Sequence, residues 1–216
     1  MGGEIMRRAA NGEEFTETVR VSDLRTLHSE LAPYRDYCAG CPANRTSQPF
    51  GCVGHINYPL SQAAEIWLLS QLPSPEEPLP FLLLTKAEEF GNTGATALAL
   101  RQNNPGIIFG SAQPFARQYP EMDISSDQLF ELFFLLGSPI PLKRMVMLLL
   151  YSGAIDRNLE ADALLALTPA PPDARQRYPF RLLPSLADDR SVLDLKGFLY
   201  ALYLAWTLNR EMLLDV

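Results

Sequence analysis

DQLFELFFLLGSPIPLKRMVMLLLYSG, residues 127–153, contains two runs whose apolar side chains would cover most of the circumference of a helix. Such runs are typical of helices that are buried on nearly all sides. Ser125 and Ser126 precede the first run and are N-cap candidates, residues 137–141 separate the two runs, and Gly153 ends the second. The stretch therefore predicts a compact helical hairpin in the core of a helical protein.

Helices are predicted along most of the remaining chain as well. The signals are apolar spacing of three and four residues, capping residues at the start, and Pro or Gly at the end. The predicted helices span residues 24–31 after a cap at Ser22 or Asp23, 62–72 after Ser61, 80–90, 93–101, 158–168 after Asp156, and about 191–212. For the segment 80–90, a buried strand from Phe81 to Leu84 is the alternative. A short strand is predicted from Phe15 to Val21, and residues 107–122 are typical of a loop. The predicted fold class is mainly α, an irregular helical bundle.

The domain organisation follows from composition and from one proline-rich segment. The length of 216 residues suits one domain, or a core domain with a small appendage. Residues 1–13 lack periodicity, which predicts a flexible leader, and PSPEEPLP at 73–80 is the clearest boundary. We expect an N-terminal helix and metal-binding module over 14–72 and a helical core over 73–216, or one continuous domain over 14–216.

The charge of the chain argues against a nucleic-acid partner. The formal net charge is −7 and the sequence pI is about 4.9, so the surface repels phosphates on average. The one basic patch, Arg175, Arg177 and Arg181, is interspersed with acidic residues and is predicted to be solvated surface. No apolar run reaches the roughly 18 residues that cross a membrane. We see no run of signal-peptide length near Met1, and we expect a cytoplasmic protein without a membrane partner.

The stretch CAGCPANRTSQPFGCVGH, residues 38–55, carries the metal-binding signal of this chain. It holds all three cysteines and one of the two histidines as Cys38-x-x-Cys41, a ten-residue gap, and Cys52-x-x-His55. Each pair has glycine at its third position, which allows the tight turn that two converging ligands need. Three thiolates and an imidazole satisfy tetrahedral Zn²⁺ without an open position. The arrangement resembles short zinc-knuckle modules over this stretch, which implies a small metal-binding loop near the N-terminus.

Other interpretations of the same residues stay open. An iron–sulfur cluster could use Cys38, Cys41 and Cys52 as ligands, with His55 or an outside group as the fourth. A redox Cys-x-x-Cys normally opens a helix in a βαβ unit, whereas here Pro42 follows in a predicted loop. The alternative without a metal is three buried cysteines beside an unrelated histidine. The other histidine, His28, lies next to an apolar helix stripe and is predicted to be at the surface.

No catalytic constellation can be assembled from the sequence. Only two histidines are present, and one is assigned to the metal. The acid pairs Glu88–Glu89 and Asp188–Asp189 are adjacent in sequence, which predicts solvated charge rather than a catalytic pair. The GNTG segment at 91–94 lacks the Lys-Ser/Thr ending of a phosphate loop and predicts a cap or turn. Whether the chain is an enzyme stays open.

The function predicted from these features is that of a cytoplasmic, metal-binding helical protein. We expect a non-enzymatic protein in which structural Zn²⁺ stabilises the fold or shapes a protein-binding surface. The apolar last helix, near residues 191–212, makes a protein partner or a homodimer the expected assembly. The alternative function is an iron–sulfur or thiol-based redox protein that uses the three cysteines.

Overall fold

A computed structural model describes residues 2–8, 14–20, 32–38, 44, 56–89, 91–135 and 139–212. The chain divides into two compact units, Met1–Val53 and Gly54–Val216. Most of the described secondary structure is helical, so the predicted mainly α class is confirmed. The proline-rich segment 73–80 lies inside the second unit, and the domain boundaries predicted from it stay a prediction.

In the first unit the described residues form a hairpin and a short helix. Strands β1 (Gly2–Arg8) and β2 (Glu14–Arg20) pair in antiparallel register, with Gly2 opposite Arg20 and Arg8 opposite Glu14. Strand β2 agrees with the predicted strand. Strand β1 lies in the segment that is predicted to be a flexible leader. Its residues carry no alternating apolar pattern that would indicate a strand, and they are ordered by pairing with β2. A 3-10 helix spans Ala32–Cys38, and the predicted helix 24–31 lies outside the described residues.

The second unit contains eight described helices and one small hairpin. The helices are α1 (Gln62–Ser70), α2 (Pro78–Glu89), α3 (Ala95–Asn103), α4 (Ser126–Phe130), α5 (Leu142–Tyr151), α6 (Ala161–Leu165), α7 (Ala174–Arg177) and α8 (Arg190–Thr207). A π-helical turn, Glu131–Leu135, continues α4. Strands β3 (Ala116–Gln118) and β4 (Asp123–Ser125) pair antiparallel just before α4.

The core of the second unit forms around α5 and α8. Helix α5 contacts α8 and α2, while α1 contacts α8 and α4, and α3 contacts α4. Met145, Leu148 and Leu149 of α5 and Trp206 of α8 are fully buried. The indole N–H of Trp206 donates to the carbonyl of Leu167 at 2.8 Å, which satisfies its one polar group inside the core. Where the structure describes them, the apolar side chains of the two runs within 127–153 are thus buried or partly buried, as predicted.

Side-chain caps position three helices of this unit. The Ser61 hydroxyl accepts from the Ala64 N–H at 3.0 Å and begins α1, as predicted. Ser125 begins α4 with a reciprocal capping box, in which Ser125 and Gln128 each accept from the other's backbone N–H. Asp189 caps α8 by accepting from Val192 at 2.9 Å. These contacts satisfy amide groups that a helix start leaves unpaired.

Three local predictions were wrong in detail. Asp156 does not begin a helix: its carboxylate accepts from the N–H of Asn158, and α6 starts only at Ala161. The last helix ends at Thr207, and Asn209 follows with a φ of 53°, a left-handed conformation that stops a helix. The predicted loop 107–122 contains β3, because a three-residue strand carries too little alternation to recognise.

The GNTG segment is a helix start, as predicted, and a carboxylate occupies it. Gly94 has a φ of 73° and precedes α3. Its N–H donates to the Glu131 carboxylate at 2.6 Å, and the N–H of Thr96 donates to the same carboxylate at 3.2 Å. The positive end of α3 is therefore neutralised by a side chain of the protein itself.

Substitution of Gly94 tests this close approach of α3 to α4. A Cβ on Gly94 would lie 2.7 Å from the backbone nitrogen of Gln128, whereas a Cβ on Gly106 would meet nothing within 4 Å. Both glycines have positive φ, so each alanine costs about 1–2 kcal/mol of backbone strain. The overlap should make Gly94→Ala at least about 1 kcal/mol more destabilising than Gly106→Ala in urea unfolding. Equal losses would mean that α3 can shift away from α4 freely.

Candidate functional site

The structure describes one of the four predicted metal ligands. Cys38 is the last residue of the 3-10 helix Ala32–Cys38, while Cys41, Cys52 and His55 lie outside the described residues. Among the residues that the structure describes, no group of three or more His, Cys, Asp or Glu side chains is arranged to hold a metal ion. The metal site therefore stays a prediction from spacing and donor chemistry.

The chain immediately after His55 is held by the helical core. The backbone and side-chain amides of Asn57 both donate to the Asp194 carboxylate of α8. The N–H of Leu60 donates to Ile108 at 2.9 Å, and the N–H of Gly110 donates back to Leu60 at 2.8 Å. Asn57 and Leu60 are thus hydrogen-bonded to other parts of the second unit.

The most deeply buried charges of the described chain form a cluster around Arg101. Its guanidinium lies 2.6 Å from a carboxylate oxygen of Glu65 and 2.6 Å from one of Asp127, and all three side chains are at most 3% exposed. The guanidinium carbon also lies 3.8 Å from the centre of the Phe109 ring. The Ser126 hydroxyl donates to Glu65 at 2.7 Å. Three helices, α1, α3 and α4, meet at this cluster.

The Arg101 cluster has a structural role. Burial alone would lower the pKa of Arg101, but hydrogen bonds to Glu65 and Asp127, together with their charges, outweigh that effect and raise its pKa. The guanidinium therefore stays charged. Its five N–H groups are all used, by the two carboxylates and by the carbonyl of Ser111 at 2.7 Å. No donor remains for a ligand, so the cluster ties helices together.

A cleft of about 810 Å³ lies between α1, α2 and the segment that follows α5. One wall is formed by the end of α1 and the first turns of α2, and the other by residues 153–161 with 181–182. Its volume falls in the usual range of ligand-binding clefts, roughly 300–1,000 Å³. The lining combines leucines with carboxylates and guanidinium groups, which makes the cleft a candidate binding surface.

Arg157 holds the walls of this cleft together. It donates to the carbonyls of Leu150 and Tyr151 at 2.7 and 2.9 Å, and it also donates to the carbonyl of Gln71 at the end of α1. Its ion pair with Glu77, at 3.1 Å, reaches the start of α2. Burial lowers the pKa of Arg157, and the charge of Glu77 and its hydrogen bond oppose that shift. Contacts made by the protein itself therefore connect the two walls of the cleft.

Other charges singled out in the sequence also have partners in the structure. Arg175 donates to the Thr207 hydroxyl at 3.2 Å, Arg177 lies 3.8 Å from Asp173, and Arg181 lies 3.5 Å from Asp156. These pairings disperse the basic patch, because each cation lies against a different partner.

The prediction that Asp188 and Asp189 are solvated surface charge was wrong. Asp189 caps α8 and accepts a hydrogen bond from the Ser61 hydroxyl. A carboxylate oxygen of Asp188 lies 2.7 Å from the Lys196 ammonium, and the side chains of Asp188 and Lys196 are each 9% exposed. Burial would raise the pKa of Asp188, but the hydrogen bonds from Lys196 and Ser185 and the charge of Lys196 lower it overall. The signal for Asp189 was its place before an apolar helix, which is typical of an N-cap.

Comparison with known proteins yields no relative. No protein-family model, curated protein or solved structure matches the chain. Within the part of the chain that the structure describes, no helix has the length and apolar character required to cross a bilayer. The function must therefore be inferred from the residues themselves.

The Arg101 cluster predicts a large difference between buried and exposed arginines. Arg101→Met would leave Glu65 and Asp127 buried without their cation, which should cost about 3–5 kcal/mol. Arg177→Met is the matched control: its ion pair with Asp173 is more than half exposed, so the loss should stay below about 1 kcal/mol. Both values come from urea unfolding at neutral pH. Similar losses in the two variants would contradict the structural role assigned to Arg101.

Proposed function

We propose that the chain is a non-enzymatic, metal-binding helical protein that acts in protein–protein interaction. Cys38, Cys41, Cys52 and His55 would hold one structural Zn²⁺. The observation that carries the proposal is the paired spacing of these residues in eighteen positions, Cys-x-x-Cys followed by Cys-x-x-His. Three thiolates and one imidazole complete a tetrahedral shell, so the metal would order the chain and would offer no open position for a substrate.

The segment between the ligand pairs explains why a metal would be needed there. PANRTSQPFG, residues 42–51, contains Phe50 as its only large apolar residue. Such a segment cannot bury enough apolar surface to offset the entropy lost when its backbone becomes ordered. Ligation by residues on both sides would supply that order. The reduced thiols that the metal requires are available in the cytoplasm, which is the proposed location.

The described charges support a non-catalytic role for the helical unit. The donors of Arg101 are taken by protein groups, and Arg157 is tied to three carbonyls and one carboxylate. Charges held in this way stabilise one arrangement of helices. They are poor candidates for proton transfer, which needs a group whose protonation can change during a reaction.

The proposed interaction surface does not lie along the apolar stripe of α8. The residues that made a homodimer attractive from the sequence pack into the chain's own core: Val192, Leu195, Leu199, Leu202 and Trp206 are at most 4% exposed. That helix therefore contributes to the stability of the monomer. The candidate surface for an interaction is instead the cleft beside Arg157, whose walls contain both apolar and charged side chains.

Elemental analysis after anaerobic purification tests the metal assignment. We expect about one zinc per chain in the wild type and in His28→Ala, because His28 is the histidine outside the ligand set. His55→Ala and Cys41→Ser should lose most of the zinc. A brown protein with iron and sulfide would instead establish the iron–sulfur alternative on the same cysteines. A colourless, metal-free wild type whose thiols cycle with peroxide would favour a thiol switch.

Chelation should loosen a defined part of the chain. With a strong chelator, or in Cys41→Ser, we expect amide exchange to accelerate over residues about 33–55. Residues 56–60 and the helices that follow should keep their protection, since Asn57 and Leu60 are bonded to the core. Hydrogen exchange read by mass spectrometry, with His28→Ala as control, measures this boundary. Global unfolding on chelation would show that the core depends on the metal.

A further inference from the structure

We infer that the cleft beside Arg157 binds a short basic peptide segment of a partner protein, with an apolar side chain against the leucines of the cleft and flanking Lys or Arg residues at Glu76 and Glu160. The inference rests on the interaction role proposed above and names the chemistry of the partner. It is independent of the metal assignment, because none of the residues that line the cleft is a predicted metal ligand.

The charges of the cleft favour a cation. Its lining holds two guanidinium groups and four carboxylates. Two of these carboxylates are neutralised: Glu77 pairs with Arg157 and Asp156 pairs with Arg181. Glu76 and Glu160 are exposed, and neither is ion-paired with a described residue. The cleft thus keeps two negative charges that a ligand with two cations would complement.

The apolar part of the lining calls for a side chain rather than a simple ion. Leu82 of α2 is 52% exposed although it is a large apolar residue, and Leu79 and Leu159 are only half-buried. An apolar side chain placed there removes these leucines from water. A free amine or metal cation would leave them solvated. A peptide that alternates apolar and basic residues satisfies both parts of the surface at once.

The rigidity of the cleft lowers the cost of binding. Arg157 connects the ends of α1 and α5 to the start of α2, and Gly153 has a φ of 65°. A Cβ at Gly153 would lie 2.7 Å from the Arg157 guanidinium, so the turn and this side chain are closely fitted. Because the walls are already fixed, binding energy is not spent on ordering them. The net charge of −7 further attracts a basic segment from solution.

Fluorescence anisotropy with synthetic peptides tests the inference on the full chain. The probe is a labelled ten-residue peptide of leucine and lysine, compared with one in which glutamate replaces lysine and one in which serine replaces leucine. We expect binding only of the leucine–lysine peptide, weakened as salt rises from 50 to 300 mM because exposed charges are screened. Equal binding of the serine–lysine peptide would reveal general electrostatic attraction and overturn the inference.

Matched variants locate the binding surface. Glu76→Gln with Glu160→Gln should weaken binding about three- to tenfold, as expected for two exposed ion pairs. Glu121→Gln with Glu211→Gln makes the same change of net charge at exposed carboxylates outside the cleft and should leave binding unchanged. Leu82→Gln should also weaken it, whereas Ile107→Gln, at a site 63% exposed and outside the cleft, should not. Equal effects of cleft and control variants would overturn the inference.

The proposed zinc site and the proposed peptide-binding cleft can be refuted independently of each other. Zinc-loaded protein that captures a partner from its host, but binds the leucine–lysine peptide no better than the glutamate peptide, would overturn only the cleft assignment. Peptide binding at the cleft by a protein that proves metal-free would support the cleft and overturn the zinc site. Circular dichroism of each variant confirms that lost binding does not reflect lost helix.

Discussion

The positions of α1, α3 and α4 depend on one buried cation. Removing the charges of Arg101, Glu65 and Asp127 from water costs several kcal/mol for each ion, and only close, well-directed contacts recover that cost. The 2.6 Å contacts on both sides of the guanidinium meet this requirement, and Phe109 covers its face. A shift of any of the three helices would leave a buried carboxylate without its partner. The cluster therefore selects one packing among the many that apolar contacts alone would allow.

Local signals in the sequence predicted the main helices but not the contacts between them. The caps at Ser61 and Ser125 and the apolar runs of 127–153 depend only on residues a few positions apart. Glu65 shows the limit of such signals. It lies in the predicted helix 62–72, where a charged residue is expected to face solvent, yet Glu65 is buried whereas the apolar Trp67 is only half-buried. Its partner Arg101 is 36 positions away, and no periodicity connects the two.

The metal site and the cleft also differ in whether local sequence signals can predict them. A zinc shell built from two short Cys/His pairs is encoded by spacing, so Cys38, Cys41, Cys52 and His55 could be proposed from the sequence alone. The cleft could not, because its walls come from α1, α2 and the segment after α5. Glu77, for example, lies in the proline-rich segment 73–80, which is predicted only as a boundary. Its partner across the cleft, Arg157, is 80 positions away along the chain. Long-range pairing of this kind needs the folded structure.

Two sources of order thus act on different parts of this chain. Between Cys41 and Cys52 the composition is too polar to bury a core, and a metal would have to supply the constraint. In the described residues from Ile56 onward, apolar burial and charge pairing supply this order. Arg157 contributes to the order that the protein's own contacts supply, since its hydrogen bonds reach the carbonyls at the end of α5 and at the end of α1. The cleft consequently takes its rigidity from the core, and its shape should persist when the metal-binding stretch is loosened.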